Sequence, residues 1–202
     1  MSRTFPLRHT PRQPWTPLSD SAFHALLPFI LAPRSPRGRQ VTDLRTRLDA
    51  IFYIATTADP WRALPARFGR PDTIARYFRR LTHAGLWQDL LNYLARVPHT
   101  DPLRAIEHLI TRACRRAARL CGLGLVILIR RLGLVSALPG PPGQVANPIL
   151  SETIARFPIT PLRRLTEAAI AATRVRIALL RHLHRGAGGV QRLPRASRLA
   201  WS

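Results

Sequence analysis

The sequence predicts an all-α protein, a small helical bundle with a helix-turn-helix-like element followed by additional basic amphipathic helices. Three observations lead there. Apolar residues recur at three- and four-residue spacing through most of the chain. Pro, Asp, Ser, Thr and Gly stand where such helices should start and stop, and no segment alternates as a half-buried strand does. A hydrophobic fraction of 46% over 202 residues supports one medium domain or two small ones, each with a modest core.

Residues 1–17 hold four Pro and three Arg without a period, and are expected to form a flexible basic arm. Ser19 can cap a first helix running to about Leu27, with Phe23, Leu26 and Leu27 on one side and Pro28 near its end. Residues 33–40 are rich in Pro, Gly and Arg and read as a loop. A second helix starts at Thr42 or Asp43, because Leu44, Leu48, Ile51, Phe52 and Ala55 form an apolar stripe.

Asp59-Pro60-Trp61 suits the start of a short third helix, with Pro60 at its first position, and Gly69 and Pro71 mark the following turn. Asp72 can cap a fourth helix whose core side is Ile74, Phe78 and Leu81. The opposite face then carries Arg76, Arg79, Arg80 and His83. Gly85 closes it, and Leu86–Leu94 forms a fifth helix with Trp87, Leu90, Leu91 and Leu94 apolar.

Beyond Pro98 the stripe Leu103, Ile106, Ile110, Cys114, Ala117 and Cys121 follows the helix start Asp101-Pro102. Arg104, His108, Arg112, Arg115 and Arg119 fall opposite it, so 95–138 reads as a basic amphipathic helical segment with 18–94 as a separate helical domain before it. Residues 139–148, with four Pro and two Gly, read as a linker. Thr160-Pro161 starts the helix of a further segment, 149–186, which Gly186 ends, and 187–202 is a basic tail.

All thirty-two basic residues are Arg and face ten acids, for a formal charge of +22. GC-rich coding accounts for the absence of Lys but not for the scarcity of acids. Fourteen Arg face six Asp up to residue 94, and eighteen Arg face four acids beyond it, so basicity concentrates in the second half. Such a chain should seek polyanions, with nucleic acid the first candidate and an anionic membrane surface the second.

Other chemistry is thin. Cys114 and Cys121, seven residues apart on a helix, would sit roughly 10 Å from one another, too far for a disulfide, and read as reduced apolar residues. His182 and His184 point in different directions, and Gly122-Leu123-Gly124 lacks the rest of a phosphate loop, so no metal and no cofactor is expected. The apolar run Leu120–Ile129 is too short to span a bilayer and the first 17 residues lack an apolar signal core. No transmembrane segment and a cytoplasmic, nucleoid-associated location are expected.

A short helix, a tight turn and a second helix with a basic outer face make a helix-turn-helix. Trp61 to Phe68 would be its first member and Asp72 to Ala84 its recognition helix. Thr73 and Arg76 lie where an inserted helix meets base edges, whereas Arg79, Arg80 and His83 would meet phosphates. Arg62 at a helix start suits a phosphate or a neighbouring carbonyl alike. The same spacing also fits a solvated face on a helix that only packs.

The order Leu18-Ser19-Asp20, Gly38-Arg39, Leu48-Asp49-Ala50-Ile51-Phe52-Tyr53 and PWRALPARFG from Pro60 to Gly69 resembles the helical DNA-binding domain that opens many bacterial insertion-sequence transposases. The likeness continues through Tyr77-Phe78-Arg79-Arg80-Leu81 and His83-Ala84-Gly85-Leu86-Trp87, and covers residues 18–94. It implies an all-helical domain that binds double-stranded DNA, such as transposon ends, in the service of transposition. In this group a ribonuclease H-like fold usually follows, with three carboxylates holding divalent metal. Here only Asp101, Glu107, Glu152 and Glu167 follow, without the strands that would carry them, so no catalytic residue is transferred.

The leading expectation is therefore a transposase-related DNA-binding protein, a truncated transposase or a regulator of transposition, that pairs with full-length transposase or with itself. Two alternatives stand beside it. One is an amphipathic membrane-surface or partner-binding protein working through residues 101–131, and the other a non-functional remnant of a decayed element.

Overall fold

The computed structural model describes residues 5–31, 43–158, 166–190 and 192–201. It is all-α, with no strand among the described residues. The helices are α1 (Asp20–Leu31), α2 (Leu44–Thr57), α3 (Pro71–His83), α4 (Leu86–Leu94), α5 (Pro102–Ala105), α6 (Glu107–Cys121), α7 (Leu123–Arg131), α8 (Pro148–Ala155), α9 (Glu167–Gly188) and α10 (Arg195–Ala200).

Local chemistry sets several boundaries. The Ser19 hydroxyl accepts from the Ala22 amide at 3.2 Å, and α1 runs through Pro28 to Leu31, one turn beyond the expected end. The Asp43 carboxylate accepts from the Thr46 amide at 3.3 Å and starts α2. The expected loop at 33–40, the Gly38-Arg39 motif, Thr42 and the Thr160-Pro161 helix start all lie outside the described residues. Thr166 caps α9, which continues two residues past the expected stop at Gly186.

The expected third helix is instead two separate 3-10 turns, Trp61–Ala63 and Ala66–Phe68. Pro65 is the reason: the residue before a proline is driven out of the helical region, and Leu64 is extended at φ −64°, ψ 127°. Pro60 is likewise extended and precedes the first turn rather than opening it. Leu64 and Phe68 are nevertheless buried, as apolar residues of that segment should be.

One apolar core runs from Leu18 to Val145. The segments read as two units, 18–94 and 95–138, share it, because α6 lies against α2, α3 and α4. Helix α6 is the largest departure from expectation. On its supposedly outer face His108 and Arg112 are buried, Arg115 is half-buried and only Arg119 is exposed. Both chain ends cover that face. Thr10 donates from its hydroxyl to Glu107 at 2.7 Å, and Arg115 donates to the Trp201 carbonyl from α10. Helical periodicity distinguishes apolar from polar faces, but not a solvated polar face from one that another segment covers.

The segment before α1 consequently lies on the bundle rather than forming a free arm. The Arg8 amide donates to the Gly133 carbonyl at 2.7 Å, its guanidinium is 3.1 Å from Glu107, and Trp15 makes edge contacts with Tyr53 and Phe68. Gly133, at φ +69°, is where the chain passes: a β-carbon there would lie 2.3 Å from the Pro6 carbonyl oxygen. The amphipathic segment 101–131 is also not one helix. Ile106 leaves helical geometry between α5 and α6, and Gly122, at φ 60°, separates α6 from α7. No helix among the described residues is long and apolar enough to cross a membrane.

The proline-rich stretch at 139–148 is held in place by Arg130, which donates to the carbonyls of Pro142, Val145 and Ala146 at 2.7 to 2.9 Å. Helices α8 and α9 pair with one another beyond it. Helix α9 is mostly exposed, including Val175, Leu179 and Leu183 along one side.

The junction of α3 and α4 rests on one buried hydroxyl. Thr82 donates to the Phe78 carbonyl at 2.9 Å and accepts the indole N–H of the fully buried Trp87 at 2.8 Å. Gly85, at φ 84°, supplies the left-handed residue that turns the chain there. Thr82→Val keeps the shape but strands the indole donor, and should lower unfolding free energy by about 1–3 kcal/mol in urea titration. Gly133→Ala should make residues 5–15 cleavable in limited proteolysis while the helical circular dichroism signal persists. Burial, reinforced by nearby Arg112 and opposed by a hydrogen bond to the Ala105 backbone, holds the His108 imidazole below its usual 6.5. The unfolded chain therefore binds the extra proton, so the contribution of His108 is complete above that value and declines as pH falls below it. His108→Gln should flatten the pH dependence of urea stability between about pH 7.5 and pH 5.

Candidate nucleic-acid interface

Helix α3 is fixed in rotation by its apolar side. Pro71 occupies its first turn, Ile74, Phe78 and Leu81 are buried, and the Phe78 ring lies between Trp61 at 5.4 Å and Trp87 at 5.5 Å. With that side held, Arg76, Arg79, Arg80 and His83 are exposed together, spanning roughly a third of the helix circumference at 100° per residue. Thr73 is half-buried at the N-terminal end of the same face.

Three of these residues meet in a groove. Thr73, Arg76 and Arg80 line a cleft of about 370 Å³ with Arg47 of α2 and Tyr77. The Arg47 and Arg80 guanidinium carbons lie 5.6 and 4.9 Å from the Tyr77 ring centre, so the ring holds two cations beside one another. Tyr77 is only 4% exposed, which makes it a wall of the groove rather than a mobile side chain. Arg79 and His83 extend the basic strip along α3 without lining the cleft.

Arg47 and Tyr77 are absent from the residues that the sequence singles out for contact with DNA. Arg47 adjoins the core residue Leu48 in sequence, and only the contact of α2 with α3 brings it to this face. Tyr77 follows Arg76 directly, and an aromatic between two arginines on a helix was the available signal. Arg62 does not join the groove: it lines a different cavity, with α6 and α10. Two 3-10 turns stand where the first member of a helix-turn-helix was expected, so α3 is preceded by a loop and then α2.

None of the ion pairs among the described residues involves Arg47, Arg76, Arg79 or Arg80. Arg76 makes one long hydrogen bond, from Nε to the Asp72 carbonyl at 3.4 Å, and Asp72 in the first turn is the nearest acid in sequence. The guanidinium forks therefore keep donors for oxyanions, carboxylate and phosphate alike.

The acids that follow α4 are engaged elsewhere. Asp101 caps α5 and accepts from the Tyr93 hydroxyl, Glu107 is buried between Arg8 and Arg104, and Glu152 pairs with Arg156 at 2.7 Å. Glu167 lies in the first turn of α9. Among the described residues no three His, Cys, Asp or Glu side chains gather as a metal site would require.

No curated protein and no solved structure matches the chain. Residues 18–91, which hold α1 to α3, most of α4 and every residue lining the groove, match the family described as "Putative transposase of IS4/5 family".

Proposed function

We propose that this protein is a transposase-related DNA-binding protein of an insertion element, which holds double-stranded DNA through α3 while full-length transposase, or a second copy of the chain, works with it. The observation that carries the reading is the unpaired Arg47–Thr73–Arg76–Arg80 groove inside the transposase-like segment. In this reading α3 enters the major groove by its N-terminal half. Thr73 and Arg76 face base edges there, and Arg47, Arg79, Arg80 and His83 hold the flanking phosphates. The excess charge of the whole chain adds a salt-sensitive, sequence-independent attraction.

The reading assigns no strand cleavage to this chain, since the four acids after α4 serve caps, ion pairs and a helix terminus. A purely membrane-surface role has less support, because the basic face of α6 that would have met lipid is covered by residues 5–15 and by α10.

Fluorescence anisotropy with a labelled duplex tests the proposal. The wild-type chain should bind at low salt, and Arg76→Gln/Arg80→Gln should weaken binding at least about tenfold, lower the log-log salt slope by about one through the lost Arg80–phosphate contact, and relax preference where Arg76 meets a base. Arg47→Gln should lower the slope by about one without changing sequence preference, whereas Thr73→Val should change preference and leave the slope intact. A wild-type chain that ignores DNA at low salt, or a double variant that binds as well as wild type, refutes the reading.

A further inference from the structure

Arg62 leads to the second concentration of charge in the molecule. It lines a cavity of about 360 Å³ with Arg112, Arg115, Arg116 and Arg119 of α6 and with Arg195 and Arg198 of α10. Among the described residues Asp59 is the only acid on that wall, and no ion pair involves any of the seven arginines.

The floor of the cavity is built rather than accidental. Arg115 donates to the carbonyls of Ser136 and Trp201. Arg116 donates to the carbonyls of Ile54 and Asp59 at 3.0 and 2.6 Å, and its guanidinium lies 4.6 Å from the Trp61 ring centre. These contacts fix two cations without neutralising them. Arg112 is only 7% exposed, and its Nη2 has no hydrogen-bond partner among the described residues. Arg198 Nε is in the same condition.

A buried charged donor without an acceptor costs free energy, and like charges gathered at one wall raise that cost further. Burial first, then the neighbouring Arg112 and Arg12, lower Arg115 to about 9, and burial with Arg119 lowers Arg116 to about 10. Both remain protonated at neutral pH, so the repulsion persists until an anion enters.

We infer that this cavity is a binding site for a compact polyphosphate, either inorganic triphosphate or the triphosphate of a nucleotide, separate from the α3 groove. Several guanidiniums converging from three chain segments match several phosphate groups in one ligand, where a single carboxylate would leave most donors unused. A cleft of this size lies at the lower end of the roughly 300–1,000 Å³ that small ligands occupy, and it cannot admit a duplex.

Calorimetric titration of the full chain with sodium tripolyphosphate at about 0.15 M salt tests the inference, since exposed charges are then screened beyond about 8 Å. One site per chain is expected, together with a raised Tm. Arg119 and Arg195 are exposed and Arg198 is half-buried at the rim, so Arg119→Gln/Arg195→Gln/Arg198→Gln should keep the fold and weaken binding at least about tenfold. Arg76→Gln/Arg80→Gln should bind triphosphate as wild type does. ATP in a parallel titration separates the two sources: tighter binding than tripolyphosphate identifies a nucleotide, equal binding the phosphate chain alone. Absence of binding, several weak sites per chain, or equal losses from the α3 variant overturn the inference. So does a DNA duplex that displaces triphosphate from the α3 variant, because the cavity would then belong to a DNA-facing surface.

Discussion

Arginines outnumber acids by thirty-two to ten, and several of the guanidiniums that the fold covers have no carboxylate partner among the described residues. Backbone carbonyls take that role. Arg116 donates to Ile54 and Asp59, Arg115 to Ser136 and Trp201, and Arg130 to three carbonyls of the proline-rich loop. A guanidinium suits this arrangement because its five donors lie in one rigid plane and its charge strengthens each bond to a neutral oxygen. Every such bond also joins distant segments, since the carbonyls lie on loops and helix ends that have no partner of their own.

Helix α6 depends on this more than any other element. Its apolar side completes the core shared with α2, α3 and α4, and its basic side is roofed by residues 5–15 and by α10. Glu107 anchors the roof at one end, where Arg8, Arg104 and Thr10 converge on a carboxylate that is 6% exposed. Removing one member of such a buried group leaves the others uncompensated, so the network fixes the path of the leading segment rather than merely adding stability. At the other end the carbonyls leave charge in excess, and the arginine-lined cavity is the outcome.

The molecule thus separates two arginine-rich surfaces that composition alone would merge. On α3 the arginines are displayed by a helix whose rotation is fixed by Phe78 between two tryptophans, and Tyr77 holds Arg47 and Arg80 side by side. That surface is an open, exposed groove and strip within the transposase-like segment. The cavity beside Arg62 is concave and assembled from the end of α2 and the loop after it, α6 and α10, which suits a small anion. The proposed DNA-binding role and the inferred phosphate site therefore rest on different arginines.

Periodicity and capping determined much of this by themselves. The apolar stripe of α2, the Ile74–Phe78–Leu81 side of α3, the buried Trp87 and the caps at Ser19 and Asp101 follow from nearest-neighbour chemistry, which a sequence carries explicitly. The resemblance over residues 18–94 rests on motif order instead, and within it 18–91 match a transposase family. The two 3-10 turns stand where periodicity predicts a third helix, and Pro65, which disfavours a helical conformation for its predecessor, was the signal available there. What only the tertiary structure decided is which polar faces are covered and which arginines meet. Arg47 reaches the α3 groove because α2 crosses α3, Arg62 leaves it because the loop at Trp61 faces α6, and Arg112 is buried because both chain ends fold over it. Those outcomes depend on contacts between residues far apart in sequence, and helical spacing records only the neighbours three and four positions away.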